Sequence, residues 1–96
     1  MTEDDITSMR LRIEGSVQSV GYRYFAMEEA RNLGLDGWIR NRSDGTVEAL
    51  VSGPTKSVEA FIAACARGPE GSKVKSIDLH NAEPPEEKGF HRRPSL

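Results

Sequence analysis

The sequence predicts an α+β fold in which two helices cover one face of a four- to five-stranded, mainly antiparallel sheet. Three observations support this prediction. Several short segments alternate apolar and polar residues, two longer segments repeat apolar residues at helical spacing, and Gly, Pro or Asp-Gly pairs separate these segments. The chain has 96 residues, of which 36% are hydrophobic, which suits one small core. We therefore expect a single domain over residues 9–93.

Both ends of the chain are expected to lie outside this domain. Residues 1–8 (MTEDDITS) are acidic and nearly free of apolar side chains, so they can bury little surface to offset the entropy of ordering. We predict a flexible N-terminal tail there. Pro94 cannot donate to a strand ladder, so the last strand should stop before it and leave residues 94–96 as a C-terminal tail.

The first strand and the first helix follow from their different periodicities. From residue 9, apolar and charged residues alternate strictly (MRLRIE), as in a strand with one buried face. A loop over Gly15–Gly21 comes next. Residues 22–34 (YRYFAMEEARNLG) then repeat apolar side chains at helical spacing, and Gly34 suits the left-handed position that follows a helix.

The remaining segments complete a β-α-β-β-α-β order. The Asp44-Gly45 pair supplies turn chemistry between two strands, and Gly68-Pro69 ends a segment with apolar residues at i, i+3, i+4 and i+7. The predicted elements are strands at 35–41 and 46–52, a helix between Pro54 and Gly68, a strand at 74–80 and a possible fifth strand around Phe90. This order is the ferredoxin-like arrangement.

The charge balance disfavours two kinds of partner, and the cysteine content excludes two kinds of site. The formal charge of −2 and the pI near 5.7 give no overall positive field, so we expect no nucleic-acid partner and no anionic membrane partner. The one cysteine, Cys65, excludes an intramolecular disulfide and a cysteine-based zinc site, and it falls on an apolar helix stripe as a buried structural thiol would. Nothing near Met1 resembles a signal peptide. We expect a cytoplasmic monomer.

A cation stands where the first helix is predicted to begin. Arg23 falls in the first turn, where positive partial charge disfavours a basic side chain unless an anion lies nearby. The guanidinium and the loop N–H groups can together hold a phosphate. The residues predicted to form this cradle are Val17, Gln18, Ser19, Val20, Gly21, Tyr22 and Arg23. An ordinary turn followed by a solvated arginine would have the same spacing, so both interpretations stay open.

Asn41 is predicted to face this loop. A crossover through the first helix makes the first two strands parallel, so both end at the same edge of the sheet. If one strand lies between them, they are about 10 Å apart, which leaves room for a phosphate and a water. Counting by twos places the Asn41 amide on the helix-covered face, where it can hold a water. Asparagine is also common at the start of a turn, and that interpretation stays open.

At these residues the sequence resembles the acylphosphatase family. The segment 15–23 (GSVQSVGYR) is similar to the family pattern G-x-V-Q-G-V-x-[FY]-R, and 37–41 (GWIRN) with the following Asp-Gly pair is similar to its second signature. The resemblance runs from about Met9 to Leu79. It implies a hydrolase of small acyl phosphates that needs no metal or cofactor, in which Arg23 binds the phosphoryl group and Asn41 orients the attacking water.

Two residues depart from the family pattern. Ser19 stands where the family has glycine, and a serine would strain the cradle if the position needs a positive φ. The family commonly ends in a strand resembling F-x-I-R-Y, whereas GFHRRPSL puts Arg92 where an apolar inward residue is expected.

Two other functions are compatible with the residues. A non-catalytic module could hold phosphate or carbamoyl phosphate in the same cradle, by analogy with the acylphosphatase-like domain of hydrogenase-maturation carbamoyltransferases. A ferredoxin-like RNA binder would use Arg10, Arg12 and Trp38 on the open face, but the chain lacks the aromatic RNP pattern and a basic balance.

Overall fold

A computed structural model describes residues 5–18 and 21–96 of the chain. The elements are β1 (Ile6–Ser16), α1 (Tyr22–Asn32), β2 (Asp36–Asn41), β3 (Val47–Pro54), α2 (Thr55–Arg67), β4 (Lys73–Asn81) and β5 (Phe90–Arg92). This order confirms the predicted α+β class, and the short fifth strand is present. Gly34 has φ +70° just after α1, which confirms the predicted left-handed helix end.

The strand order β4-β1-β3-β2-β5 puts β3 between β1 and β2. Strand β3 is antiparallel to both neighbours, so β1 and β2 run parallel and end at the same edge, as predicted. Strand β5 is parallel to β2 and makes the sheet mixed. The core lies between the sheet and the two helices. Its large, almost fully buried side chains include Leu11, Ile13, Tyr22, Leu35, Ile39, Val51, Phe61 and Phe90.

Strand β1 begins three residues earlier than the sequence predicted. The Thr7 hydroxyl lies 2.7 Å from that of Thr55, and the Ser8 hydroxyl lies 2.7 Å from that of Ser52. The predicted flexible tail is therefore wrong for the residues that form the start of β1. Main-chain pairing with β3 and these hydroxyl contacts order the segment without apolar burial. Residues 1–4 lie outside the described part of the chain.

Strand β1 also ends later than predicted, and the loop is correspondingly shorter. The ladder to β4 shifts register between Glu14 and Gly15, and it continues to Ser16. Gly15 has φ +134°, and a Cβ atom there would lie 2.0 Å from the carbonyl oxygen of Lys73. Only glycine fits this bulge, because a side chain would meet both the strained dihedral and the β4 main chain.

The end of the chain is held against β2. Strand β5 stops before Pro94, as predicted. The Leu96 N–H donates to the Asn41 carbonyl at 3.0 Å, and the Ser43 N–H donates to the Leu96 carbonyl at 2.7 Å. The segment predicted as a separate C-terminal tail is therefore bonded to the residues around the end of β2.

Cys65 is a buried structural thiol, as predicted. It is fully buried on α2, and burial raises its pKa to about 12. The Tyr22 hydroxyl donates to the Cys65 carbonyl at 2.6 Å, which fixes the start of α1 against α2. No helix in residues 5–18 and 21–96 combines the length and apolar character that a membrane crossing requires.

Candidate functional site

The candidate site lies where β1 and β2 end and α1 begins. Ile13 of β1 pairs with Val47 of β3, and Val47 pairs with Asn41 of β2, so these three residues form one row across the sheet. Ile13 and Val47 are fully buried beneath the helices. Because paired residues share a face, Asn41 points to the helix-covered side, which confirms the predicted orientation. One strand separates its strand from β1, a gap of about 10 Å.

Among the residues that the structure describes, no side chain caps the first turn of α1. Gly21 occupies the cap position with φ +74° and makes no side-chain hydrogen bond, and no acidic residue stands in the first turn. A helix start of this kind presents main-chain N–H donors and a positive partial charge to a ligand. Val17 is buried and anchors the preceding loop to the core. Ser19 and Val20 lie outside the described residues, so their part of the cradle, and the strain expected of Ser19, stay predictions.

Arg23 follows in this first turn with its guanidinium free. In the part of the chain that the structure describes, it has neither a hydrogen bond nor an ion pair. It borders a concavity of about 380 Å³ together with Arg92, Arg93, Pro94 and Ser95. A cation without a partner beside a helix N-terminus is available to an anion.

Asn41 carries a buried oxygen that nothing satisfies. Its Oδ1 is the one buried side-chain polar atom without a hydrogen-bond partner among residues 5–18 and 21–96. A buried amide oxygen left unpaired costs about 1–3 kcal/mol, so such groups normally meet a water or a ligand. This oxygen is the strongest indication that β2 ends in a site that is completed by a bound molecule.

A carboxylate on the opposite face fixes the residues on either side of Asn41. Arg40 Nε and Arg42 Nη1 donate to the same oxygen, Glu48 Oε1, at 2.8 and 3.0 Å. Glu48 is 8% exposed. Burial acts to raise its pKa, but the hydrogen bonds and charges of the two arginines outweigh burial and lower it. The ionised carboxylate therefore clamps β2 at the residues that flank Asn41.

The side chain of Gln18 ties the loop to the β2–β3 turn. Its Nε2 donates to the carbonyls of Arg42 and Thr46 at 2.7 and 2.8 Å. The sequence predicted Gln18 only as a main-chain member of the cradle, because no local pattern reveals a contact 24 residues away. The contact sets the distance between the cradle loop and the end of β2.

The predicted Asp-Gly turn is confirmed. Asp44 Oδ1 accepts from the Thr46 N–H at 3.0 Å and from its hydroxyl at 2.6 Å, while Asp44 Oδ2 accepts from Arg12 Nη2 at 3.0 Å. These hydrogen bonds, led by those from Thr46, hold the pKa of Asp44 well below its usual range. The turn that follows Asn41 is thus fixed from both sides.

The residues named for RNA binding lie on the other face of the sheet. Trp38 packs there with the guanidinium carbons of Arg40 and Arg93, each 4.9 Å from its ring centroid. Arg12 is engaged by Asp44. The structure therefore does not bring these groups together with Arg23. Within residues 5–18 and 21–96, no group of three His, Cys, Asp or Glu side chains is arranged to hold a metal ion.

Comparisons with known proteins agree on one family. A family model described as Acylphosphatase matches residues 9–92. The protein named Acylphosphatase from Rhodospirillum rubrum is 46% identical over 89 residues, which is 93% of this chain and 98% of that protein. A crystal structure of acylphosphatase from Bacillus subtilis superposes with a TM-score of 0.85 at 36% identity, covering 93% of this chain and 99% of that one. Full-length HypF in a phosphate- and nucleotide-bound form gives a TM-score of 0.87 at 32% identity, covering 95% of this chain but 12% of that one.

Proposed function

The chain belongs to the acylphosphatase family, and on this premise we propose that it hydrolyses the carboxyl–phosphate bond of small acyl phosphates. Water attacks phosphorus, and the bond from phosphorus to the acyl oxygen breaks. The acyl group leaves as a carboxylate, and the water oxygen stays on phosphorus as inorganic phosphate. One proton from the water passes to a phosphate oxygen or to solvent.

The phosphoryl group is proposed to bind at the start of α1. Its negative oxygens accept hydrogen bonds from N–H groups of the loop and the first helical turn, and the Arg23 guanidinium binds two of them as a fork. The absence of a side-chain cap on α1 and the unpartnered state of Arg23 in the described chain support this placement. Phosphoryl transfer depends mainly on positioning and charge stabilisation, which these groups supply.

The attacking water is proposed to bind Asn41. The buried, unsatisfied Oδ1 of this residue is the observation that carries the proposal. A water that donates to Oδ1 relieves the unpaired oxygen and is held across the sheet edge from the helix N-terminus. Holding the nucleophile in line with the scissile bond removes much of the entropic part of the barrier.

The leaving group explains why the site needs few groups. A carboxylate is a weak base, so its departure needs little help from a general acid. Among the described residues, none that borders the concavity beside Arg23 is a histidine. Glu48 and Gln18 act indirectly, through the main chain on either side of Asn41.

The test is hydrolysis of benzoyl phosphate by purified protein, measured with and without a chelator. We expect Arg23→Ala to raise KM and lower kcat, because it removes a contact made in both the ground state and the transition state. We expect Asn41→Ala to lower kcat by about 100-fold or more while KM changes little, since the phosphate contacts remain.

Matched control variants distinguish the loss of a site residue from a general effect of substitution on the fold. Arg67→Ala removes an exposed arginine at the end of α2, and Asn81→Ala removes an exposed asparagine at the end of β4. Both should retain the rate of the unmodified protein. Full activity of folded Asn41→Ala would refute the role given to that residue. Phosphate binding without any turnover by the unmodified protein would favour the non-catalytic module instead.

We also propose three further properties: first, the protein is a monomer; second, it acts in the cytoplasm; and third, it has no nucleic-acid partner. The acidic balance of the chain supports the last point. Size-exclusion chromatography with light scattering tests the first, and fractionation of cells that express the protein tests the second. A gel shift with single-stranded RNA tests the third, where salt-sensitive binding would be the contrary result.

A further inference from the structure

Arg92 occupies a position beside the candidate site that an apolar side chain would normally fill. It pairs in register with Ile39, which is fully buried on the helix side of β2. Phe90, two residues earlier on β5, packs on Phe61 of α2 with ring centroids 5.7 Å apart. Residues two apart on a strand share a face, so Arg92 also lies on the helix-covered side.

Helix α1 packs beside β5, and the directions of these two elements bring Arg23 close to Arg92. Arg31, near the end of α1, donates two hydrogen bonds to the Phe90 carbonyl at 3.1 and 3.0 Å. From there β5 runs toward the edge where Asn41 ends β2, because the two strands are parallel. Helix α1 starts at that edge, so its first turn carries Arg23 to the side that Arg92 reaches.

Arg23 and Arg92 border one concavity, and neither has a counterion among residues 5–18 and 21–96. The space of about 380 Å³ has Arg23 and Arg92 in its wall, with Arg93, Pro94 and Ser95, and none of the described residues in that wall is acidic. Within the described residues neither Arg23 nor Arg92 has a hydrogen bond or an ion pair. Like charges that no described carboxylate offsets are more stable when an anion lies between or beside them.

We propose that Arg92 is a specificity-determining residue that binds an anionic group on the acyl half of the substrate. This refinement rests on the proposed hydrolysis. Arg23 and the helix N–H groups already offset the phosphoryl charge, which leaves the second guanidinium for a carboxylate or phosphate elsewhere on the same molecule. The preferred substrates are then acyl phosphates whose acyl group carries a negative charge.

The adjacent Arg93 provides a control with the same change in charge. Arg93 also borders the concavity, but its guanidinium carbon lies 4.9 Å from the centroid of the Trp38 ring. Trp38 points to the open face, because it alternates with the buried Ile39. Arg93→Gln therefore removes one positive charge next to Arg92 without removing the side chain proposed to meet the substrate.

The experiment compares benzoyl phosphate with its 3- and 4-carboxy derivatives. The kcat/KM of each is measured for the unmodified protein, Arg92→Gln and Arg93→Gln at low ionic strength, with circular dichroism to show that each variant is folded. We expect Arg92→Gln to lower kcat/KM for at least one carboxylated substrate by roughly tenfold, with less than a twofold change for benzoyl phosphate. Arg93→Gln should change all three by similar small factors. Added salt should reduce the preference of the unmodified protein.

The following outcomes would each overturn the role proposed for Arg92. An equal loss on all substrates in Arg92→Gln would mean that Arg92 binds the phosphoryl group, and no loss on any would make it a bystander. An equal loss of the carboxylate preference in Arg93→Gln would reduce the effect to overall charge. If the unmodified protein hydrolyses none of the three substrates, the proposed function fails first, and that result is distinct from failure of the specificity.

Discussion

Replacing Glu48 by Gln tests whether the buried carboxylate holds the end of β2 in place. The Glu48 side chain is 11% exposed, and glutamine keeps its shape and one carbonyl oxygen. The change therefore removes charge from two hydrogen bonds. A hydrogen bond to a charged group contributes about 1.5–3 kcal/mol to the free energy of unfolding when it is well shielded from water. The side chains of Arg40 and Arg42 are 22% and 34% exposed, so screening reduces each contribution to about 1 kcal/mol.

We expect Glu48→Gln to lower the free energy of unfolding by about 2 kcal/mol at pH 7. For a chain of this size, Tm falls by roughly 8–16 °C. Burial opposes ionisation of Glu48, but its two arginine partners lower the folded-state pKa below the unfolded value. A group of this kind stabilises the fold above its unfolded pKa, and the contribution is lost as pH falls through the folded pKa. The difference between variant and unmodified protein should therefore shrink in acid.

Urea denaturation at pH 7 and at pH 3 measures both effects. Glu70→Gln is the matched control, since Glu70 is exposed and has no hydrogen bond or ion pair in the described chain, and it should stay within about 0.5 kcal/mol of the unmodified protein. A Glu48→Gln loss below about 0.5 kcal/mol at pH 7, or a loss equally large at pH 3, would show that the clamp is not electrostatic.

Two further substitutions test the supports of the candidate site. Gln18→Ala removes the donor to two carbonyls of the β2–β3 turn. We therefore expect kcat for benzoyl phosphate to fall severalfold and the free energy of unfolding to drop by about 1–2 kcal/mol. An unchanged kcat would show that catalysis does not depend on this contact between the loop and the turn. Gly15→Ala should destabilise the protein by about 3 kcal/mol or more in urea denaturation, because the new Cβ would meet the β4 main chain at 2.0 Å. Gly45→Ala, at φ +92° with open space around the Cβ, should cost only about 1–2 kcal/mol, and equal losses at both glycines would contradict the steric argument.

The order of elements could be predicted because local patterns determine it. The alternation in β1, the apolar stripes of α1 and α2, and the Asp44-Gly45 turn each act over a few residues, and the structure has them close to their predicted places. The start of β1 could not be found in this way. Thr7 and Ser8 are ordered by partners more than 40 residues away, and their polarity gave no sign of a strand.

The residues that support Asn41 were missed for the same reason. The position of Asn41 on the helix side follows from counting along one strand, which needs no tertiary information. The clamp at Glu48 depends on the register between β2 and β3, which pairs Glu48 with Arg40. Opposite charges on the exposed faces of two strands joined by a tight turn are the one signal from which that pair could have been inferred.

The way Leu96 is bonded to Asn41 and Ser43 has a practical consequence for making the protein. Any residues fused after Leu96 would begin about one strand spacing from Asn41, the residue proposed to bind the attacking water. A purification tag at that end is poorly placed for kinetic work, since it would lie beside residues proposed to bind the substrate and the water. An N-terminal tag that is removed before assay avoids this interference.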